Sequence, residues 1–355
     1  MMRVAIVGCG GMAAHYLPVY RDLDWVRVVA CVDTDPESAG RAAQLFDSRA
    51  TTDFGVALAA DVDAVVIGTP NSEHRAQAVA AIGAGKHVLL QKPVAAKLAD
   101  AEAIAAAAAT SRRTVGLYMS YFDQPLIHDL RQMARSGWLG DLVQCYARLM
   151  HKGGVMWSQQ ALAGKPTWRG SLEGTGGGCF IQLAVHYIHI FEWLGLHVTR
   201  ATAFTRNLHC PGLEGEDLAC AVLETRSGAI VTLDTAWCAH GGELSVFGTL
   251  GRFEYRNSVR LALASSAGPF RGRAAAYDGG TVEAFGGAQG KEQQSEIQPP
   301  PFGDAANPLN QHRLFLEAAR EGRPAPVSIE SGVRDMRIVS AVYESARTGR
   351  AVEVR

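Results

Sequence analysis

The chain has 355 residues, 48% of them hydrophobic and 19% charged, which is enough for two domains with a sizeable core. Its formal net charge is −1 and it has no basic run, which argues against nucleic acid and anionic membranes as partners. The seven cysteines (Cys9, Cys31, Cys145, Cys179, Cys210, Cys220, Cys238) are odd in number, form no C-x-x-C and mostly lie in apolar runs. That pattern reads as free thiols in a reducing compartment.

Residues 4–7 form the first apolar run, shorter than the ~7–15 residues of a signal-peptide core. No stretch reaches the ~18 apolar residues of a membrane span, so a cytoplasmic location is expected. The 4–7 run reads as a strand ending in Gly8-Cys9-Gly10-Gly11-Met12-Ala13, followed by a helix over 15–23. A second strand, 26–32, closes on Asp33; a third, 64–67, stops at Thr69-Pro70-Asn71. Ser72 is placed to cap the next helix, which ends at 83–85. A fourth strand, 87–90, precedes Gln91-Lys92-Pro93, and a helix over 99–109 leads to a fifth strand, 114–118. Strands alternating with helices predict a parallel sheet covered on both faces.

The G-x-G-x-x-A motif is weak alone but strong in this context. It follows a strand, opens a helix, and has an acidic residue, Asp33, at the end of the next strand. Gly8 makes the tight turn and Gly10 lets the backbone approach a pyrophosphate. Ala13 keeps the helix against the sheet, and the helix N-terminus faces the negative charge. A glycine turn in another doubly wound fold is the competing reading. A carboxylate at Asp33 accepts from a ribose hydroxyl and repels a 2′-phosphate, and Thr34 and Asp35 follow it without an adjacent arginine. NAD is therefore favoured, with NADP kept open by Arg41.

After Tyr118 the pattern changes. A helix is expected over 122–136 and a strand over 142–150. Strands then follow at 198–204, 218–224, 230–237, 243–247 and 252–255 without intervening helices, which predicts a mainly antiparallel sheet. Residues 264–306 read as long loop or irregular strand, and helices close the chain at 311–321 and 329–348. The expected organisation is a Rossmann dinucleotide-binding domain over 1–120 and an α+β domain with an open sheet over 121–355. One helix, 179–194, is apolar almost all round and so buried, yet carries Gln182, His186 and His189 on one face. The stripe is either a ligand site or a set of core histidines bonded to backbone. No third ligand stands at a metal-binding spacing beside His186 and His189, so no metal is expected.

Several segments resemble the glucose-fructose oxidoreductase / inositol dehydrogenase / rhizopine catabolism (Gfo/Idh/MocA) family over nearly the whole length. GCGGMA looks like its fingerprint; IGTPNSEH and AGKHVLLQKPVA are similar to its T-P-N-x-x-H and A-G-K-H-V-x-x-E-K-P signatures. WRGSLEGTGGGCFIQLAVHYIHIFEWLG resembles its G-G-G-x-x-x-D-x-x-x-H helix, and VYESARTGRAVEV its usual ending. The resemblance implies an NAD(P)-dependent oxidoreductase acting on a CH–OH group of a sugar, nucleotide-sugar or cyclitol. It implies a dimer or tetramer built on the open sheet and an active site in the cleft between the domains.

By position it makes Lys92 and His186 the catalytic pair, and Gly8, Gly10, Gly11, Met12, Asp33, Thr34, Thr69, Pro70, Asn71, His74, Gln91 and Lys92 the cofactor-binding set. Gln182, Tyr121, Trp168 and Arg169 are the implied substrate contacts. The pair suits the chemistry, since a histidine removes a hydroxyl proton and an ammonium stabilises alkoxide charge. Two residues depart from the family: Gln91 replaces a glutamate and Gln182 an aspartate, leaving His186 without a carboxylate assistant. Two other functions stay open, a glycosidase using bound NAD and a non-catalytic NAD-binding regulator.

Overall fold

A computed structural model describes residues 1–256, 260–267, 283–285, 290–296, 300 and 303–355. They divide into two units, 1–123 with 300–336 and 124–299 with 337–355.

The first unit alternates strand and helix: β1 (Met2–Val7), α1 (Gly11–Asp22), β2 (Val26–Val32), α2 (Pro36–Gln44), β3 (Arg49–Thr51), β4 (Ala64–Ile67), α3 (His74–Gly83), β5 (His87–Gln91), α4 (Leu98–Ala109) and β6 (Val115–Tyr118). Its strands pair in parallel in the order β3-β2-β1-β4-β5-β6. The central strands are buried on both faces, which is why they read as short continuous apolar runs rather than alternating ones. The order reverses where β1 lies between β2 and β4, and ligands bind at the carboxyl ends of strands beside such a point.

The sequence reading misses α2 and β3, since β3 has only three residues and α2 mixes alanine with polar residues. The Asp35 side chain caps α2, accepting from Glu37 N and Ser38 N. Ser72 does not cap α3: the N-cap position is Glu73, without a side-chain bond, and the Ser72 hydroxyl donates to Glu73 Oε1.

In the second unit come α5 (Pro125–Arg135), β7 (Leu142–Met150), α6 (Gly153–Leu162), α7 (Leu172–Thr175), α8 (Val185–Trp193), β8 (Val198–Arg206), β9 (Leu218–Thr225), β10 (Ile230–Ala236), β11 (Gly241–Gly248), β12 (Gly251–Arg256), β13 (Arg260–Ser265), β14 (Glu283–Phe285) and β15 (Gly290–Glu296). The chain ends in α9 (Gln311–Arg320), α10 (Ile329–Thr348) and β16 (Val352–Glu353). The second sheet runs β14-β15-β13-β12-β11-β7-β10-β9-β8-β16, antiparallel except where β7 meets β10. One face is packed and one open, so β8 and β9 alternate in burial. The stretch read as loop or irregular strand holds the end of β13, then β14 and β15. Residues 268–282, 286–289, 297–299 and 301–302 of it lie outside the described residues.

A single boundary at 120 does not describe the packing, because 300–336 returns to the first unit. Phe315 and Leu316 of α9 are fully buried in the same cluster as Tyr16, Tyr20 and Tyr118. The 122–136 helix is likewise two elements, a 3₁₀ turn over Ser120–Asp123 and then α5, which starts at Pro125 because proline suits the first helical position. All seven cysteines are free, five of them buried. No helix among the described residues is long and apolar enough to cross a membrane.

Candidate active site

In the first unit the loop from β1 to α1 is shaped for a close-lying anion. Gly8 has φ +87°, and a Cβ there would stand 2.6 Å from the carbonyl carbon of Gly68, so only glycine fits the turn. A Cβ on Gly10 or Gly11 would meet nothing within 4 Å. The α1 N-terminus has no side-chain cap and no acidic residue in its first turn. Ala13 N donates to Gly10 O at 2.9 Å, whereas Gly10, Gly11 and Met12 are exposed, Met12 to 40%, so the positive end of the dipole is open on that side. Ala13 is buried against the sheet, as the motif requires.

Asp33 is tied into this loop. Its Oδ2 accepts from Cys9 N at 2.7 Å and its Oδ1 from Asp35 N at 2.9 Å, and each oxygen keeps acceptor capacity for a ligand hydroxyl. Thr34 is exposed beside it. Arg41, the candidate for a 2′-phosphate, donates to the Ser38 hydroxyl at 2.8 Å and lies 3.6 Å from Glu37 and 4.0 Å from Asp35. Two exposed carboxylates therefore flank its charge at ion-pair distance.

The loops after β4 and β5 are joined by His74. The ring is fully buried, with Nε2 3.0 Å from Thr69 O and Nδ1 3.0 Å from Pro93 O and 3.2 Å from Val94 O. Burial pushes its pKa down to about 4, assisted by the charge of Lys92 and opposed by the three carbonyls. The ring of His74, expected among the cofactor contacts, joins the loop of Thr69 to that of Pro93 and Val94. Thr69 donates to Gln77 Oε1 at 2.7 Å, Pro70 is half-buried and Asn71 buried. Gln91 accepts from Lys92 N at 2.9 Å through its side-chain oxygen, which holds the start of the Lys92–Pro93 turn, a cis peptide. Lys92 and Tyr121 are half-buried, Tyr121 in the 3₁₀ turn after β6.

In the second unit the expected 179–194 helix is not uniform. Phe180–Ala184 is a π-helical turn and only Val185–Trp193 is α-helical. Such wide turns inside helices are frequent at functional sites, and this one carries Gln182. Gln182, His186 and His189 are 8%, 7% and 4% exposed, so the polar stripe is indeed buried.

The start of this element is held by two residues the sequence reading did not single out. Glu216 Oε2 accepts from Gly178 N and Oε1 from Phe180 N, both at 2.8 Å. The Tyr343 hydroxyl donates to Glu216 Oε1 at 2.9 Å and accepts from Ile181 N at 3.2 Å. Burial raises the Glu216 carboxyl, and the donors from Phe180, Tyr343 and Gly178 pull it back. The triple glycine follows from the same contacts: a Cβ on Gly177 would strike the Tyr343 ring, and one on Gly178 the backbone of Glu216. The one advance signal was the placement of three glycines where a chain must pass closely.

Trp168 and Arg169 lie in the 3₁₀ turn Trp168–Gly170. The guanidinium of Arg169 stands 4.4 Å over the Trp168 ring and 5.2 Å from that of Trp157, and burial lowers its pKa.

Two family models match the chain: the oxidoreductase family with NAD-binding Rossmann fold over residues 2–119, and the GFO/IDH/MocA C-terminal domain over 127–254. Inositol 2-dehydrogenase 1 of Saccharopolyspora erythraea is 30% identical, over 99% of this chain and 96% of its own. D-Apiose dehydrogenase of Paraburkholderia graminis is 25% identical, over 99% of this chain and 89% of its own. Levoglucosan dehydrogenase, solved in complex with NADH, has the same fold with a TM-score of 0.84 at 19% identity, over 100% of this chain and 99% of that one.

Proposed function

The chain belongs to the Gfo/Idh/MocA family of NAD-binding oxidoreductases, and from that premise we propose that it moves a hydride between NAD and a hydroxyl-bearing carbon of a sugar or cyclitol. The observation that carries this is the uncapped α1 N-terminus above Gly10 and Gly11, beside a carboxylate prepositioned at Asp33. The nicotinamide supplies the hydride acceptor or donor. Gly8, Gly10, Gly11 and Met12 hold the pyrophosphate, Asp33 and Thr34 the adenosine ribose, and Thr69, Pro70, Asn71, Gln91 and Lys92 the remainder. The carboxylates flanking Arg41 leave little to attract a 2′-phosphate, so NAD(H) is the preferred form.

His186 acts as acid/base on the substrate oxygen and Lys92 stabilises negative charge developing there. Gln182 contributes an amide to substrate binding, since it cannot take a proton. Tyr121, Trp168 and Arg169 supply aromatic faces and donors suited to a polyhydroxylated ring. The relatives' names, inositol and D-apiose dehydrogenase, define the first substrates to try.

A cytoplasmic homo-oligomer fits the same reading. On the open sheet face Phe204 is 66% and Val222 41% exposed on neighbouring strands, and Arg148 pairs with Asp234 at 3.2 Å close by. A second copy of the chain would cover this mixed face. The deciding experiment is NADH titration by fluorescence, then an absorbance screen at 340 nm over cyclitols and aldoses. Absence of NAD(H) binding overturns the proposal. Substrate turnover at full rate in His186→Ala overturns the assignment of the base.

A further inference from the structure

The second unit carries a groove of about 370 Å³ where the end of α5 meets the end of α8. It is lined by His128, Arg131, Gln132, Arg135, Ser136 and Trp193. Its chemistry is one-sided. Arg131 and Arg135 stand one turn apart on α5, where like charges repel, and neither has an acidic ion-pair partner among the described residues. Burial, and after it the charge of Arg135, disfavour the charge on Arg131. Its Nε is buried with no hydrogen-bond partner.

The site is also built rather than loose. The Arg131 guanidinium stacks 3.8 Å over the Trp193 ring, which fixes its plane, and His128 meets the same ring edge-on at 5.2 Å. The helix dipole accounts for one cation in the last turn, Arg135. It does not account for Arg131, a full turn earlier, since the effect fades within that turn.

We propose that this groove is an anion site taking a phosphate-class oxyanion, clamped between the guanidinium groups of Arg131 and Arg135. Planar guanidinium forks match tetrahedral oxyanions with paired donors, and Arg131 is already oriented by stacking. Inorganic phosphate and the phosphate of a small organic ester share this chemistry, so both belong in the test.

The experiment is calorimetric titration of the full chain, saturated with NADH so that the β1–α1 loop is occupied, using inorganic phosphate, glycerol 3-phosphate and acetate in a non-anionic buffer. Saturable binding of one or both phosphates is expected, with acetate weaker. Tighter glycerol 3-phosphate identifies an ester as the natural occupant, and equal affinities identify free phosphate. Arg131→Gln and Arg135→Gln should each weaken binding about tenfold or more, the loss expected for one charge-assisted bond. Arg135 is exposed, so Arg135→Gln keeps the test valid if Arg131→Gln fails to fold. NADH affinity should be unchanged in both, which separates this site from the cofactor reading. Absence of phosphate binding, or binding untouched in Arg135→Gln, overturns the proposal.

Discussion

Asp123 offers the sharpest test of the electrostatics inside the first unit. It is 3% exposed, accepts from Gln311 N at 2.8 Å and from the Tyr118 hydroxyl at 3.2 Å, and has no cationic partner among the described residues. Burial raises its pKa from 3.8 to about 7, only partly offset by the two donors. The fold therefore binds this proton more tightly than the unfolded chain does. Stability is unaffected below the unfolded pKa and falls as pH rises towards 7.

A shift of that size corresponds to on the order of 4 kcal/mol lost by neutral pH, and to roughly 2–3 kcal/mol between pH 5 and 7.5. Asn at this position accepts from Gln311 N through its oxygen and carries no charge to bury. Asp123→Asn should therefore be more stable than the unmodified protein at pH 7.5, with an advantage that shrinks by that amount at pH 5. His74 and His312, whose pKa values burial lowers to about 4 and about 3, produce the opposite slope. They weaken the fold as pH falls below about 6.5, equally in both proteins, so they cancel in the difference. Urea unfolding of both proteins at the two pH values measures it. A variant less stable at pH 7.5, or a difference independent of pH, would show that Asp123 is ionised and held by its two donors.

Asp33→Ala should weaken NADH binding by on the order of 1.5–3 kcal/mol and narrow the gap to NADPH, as read by cofactor fluorescence. An unmodified protein that prefers NADPH would refute the role given to Asp33. His186→Ala should slow hydride transfer ~10²–10⁴-fold in stopped-flow traces with cofactor affinity nearly constant; an unchanged rate removes His186 from the chemistry. Tyr343→Phe deletes the donor to Glu216 and the acceptor for Ile181 N, and should cost about 1.5–3 kcal/mol in denaturant unfolding. An unmoved midpoint would mean that Glu216 holds the glycine turn alone.

The parallel sheet was legible because β1, β2, β4 and β5 are apolar runs closed within two residues by glycine, proline or aspartate, and β6 is a short apolar run after a helix. β8 to β12 were legible for the same reason, from their alternation and short turns. α2 was not, because what makes it a helix is the Asp35 cap and packing of Ala39, Ala42 and Ala43, neither of which gives a strong apolar period. The return of α9 to the first unit was hidden as well. The apolar face of α9 is plain in the sequence, but its partners Tyr16, Tyr20 and Tyr118 lie about two hundred residues or more away, and no local pattern names them. The π turn at Phe180–Ala184 has no signal in the sequence, where the segment is apolar and reads as ordinary helix, and the Glu216 and Tyr343 that hold its start lie on distant segments.

The same division runs through the candidate site. Residues whose role is backbone shape, Gly8 above all, were identifiable by type, because only glycine adopts φ +87° against Gly68. Residues whose role depends on what they touch were not. His74 shows the difference. Its position, one turn past Thr69, suggested a ligand contact, yet it is fully buried and faces three carbonyl oxygens. A neutral imidazole has one N–H to offer them, and burial with Lys92 close by keeps it neutral. One side of the ring therefore meets carbonyl oxygen without a proton between them. The fold tolerates this because the ring ties the end of β4 to the turn after β5. Through that tie His74 fixes the spacing of the loops that carry Thr69 and Lys92.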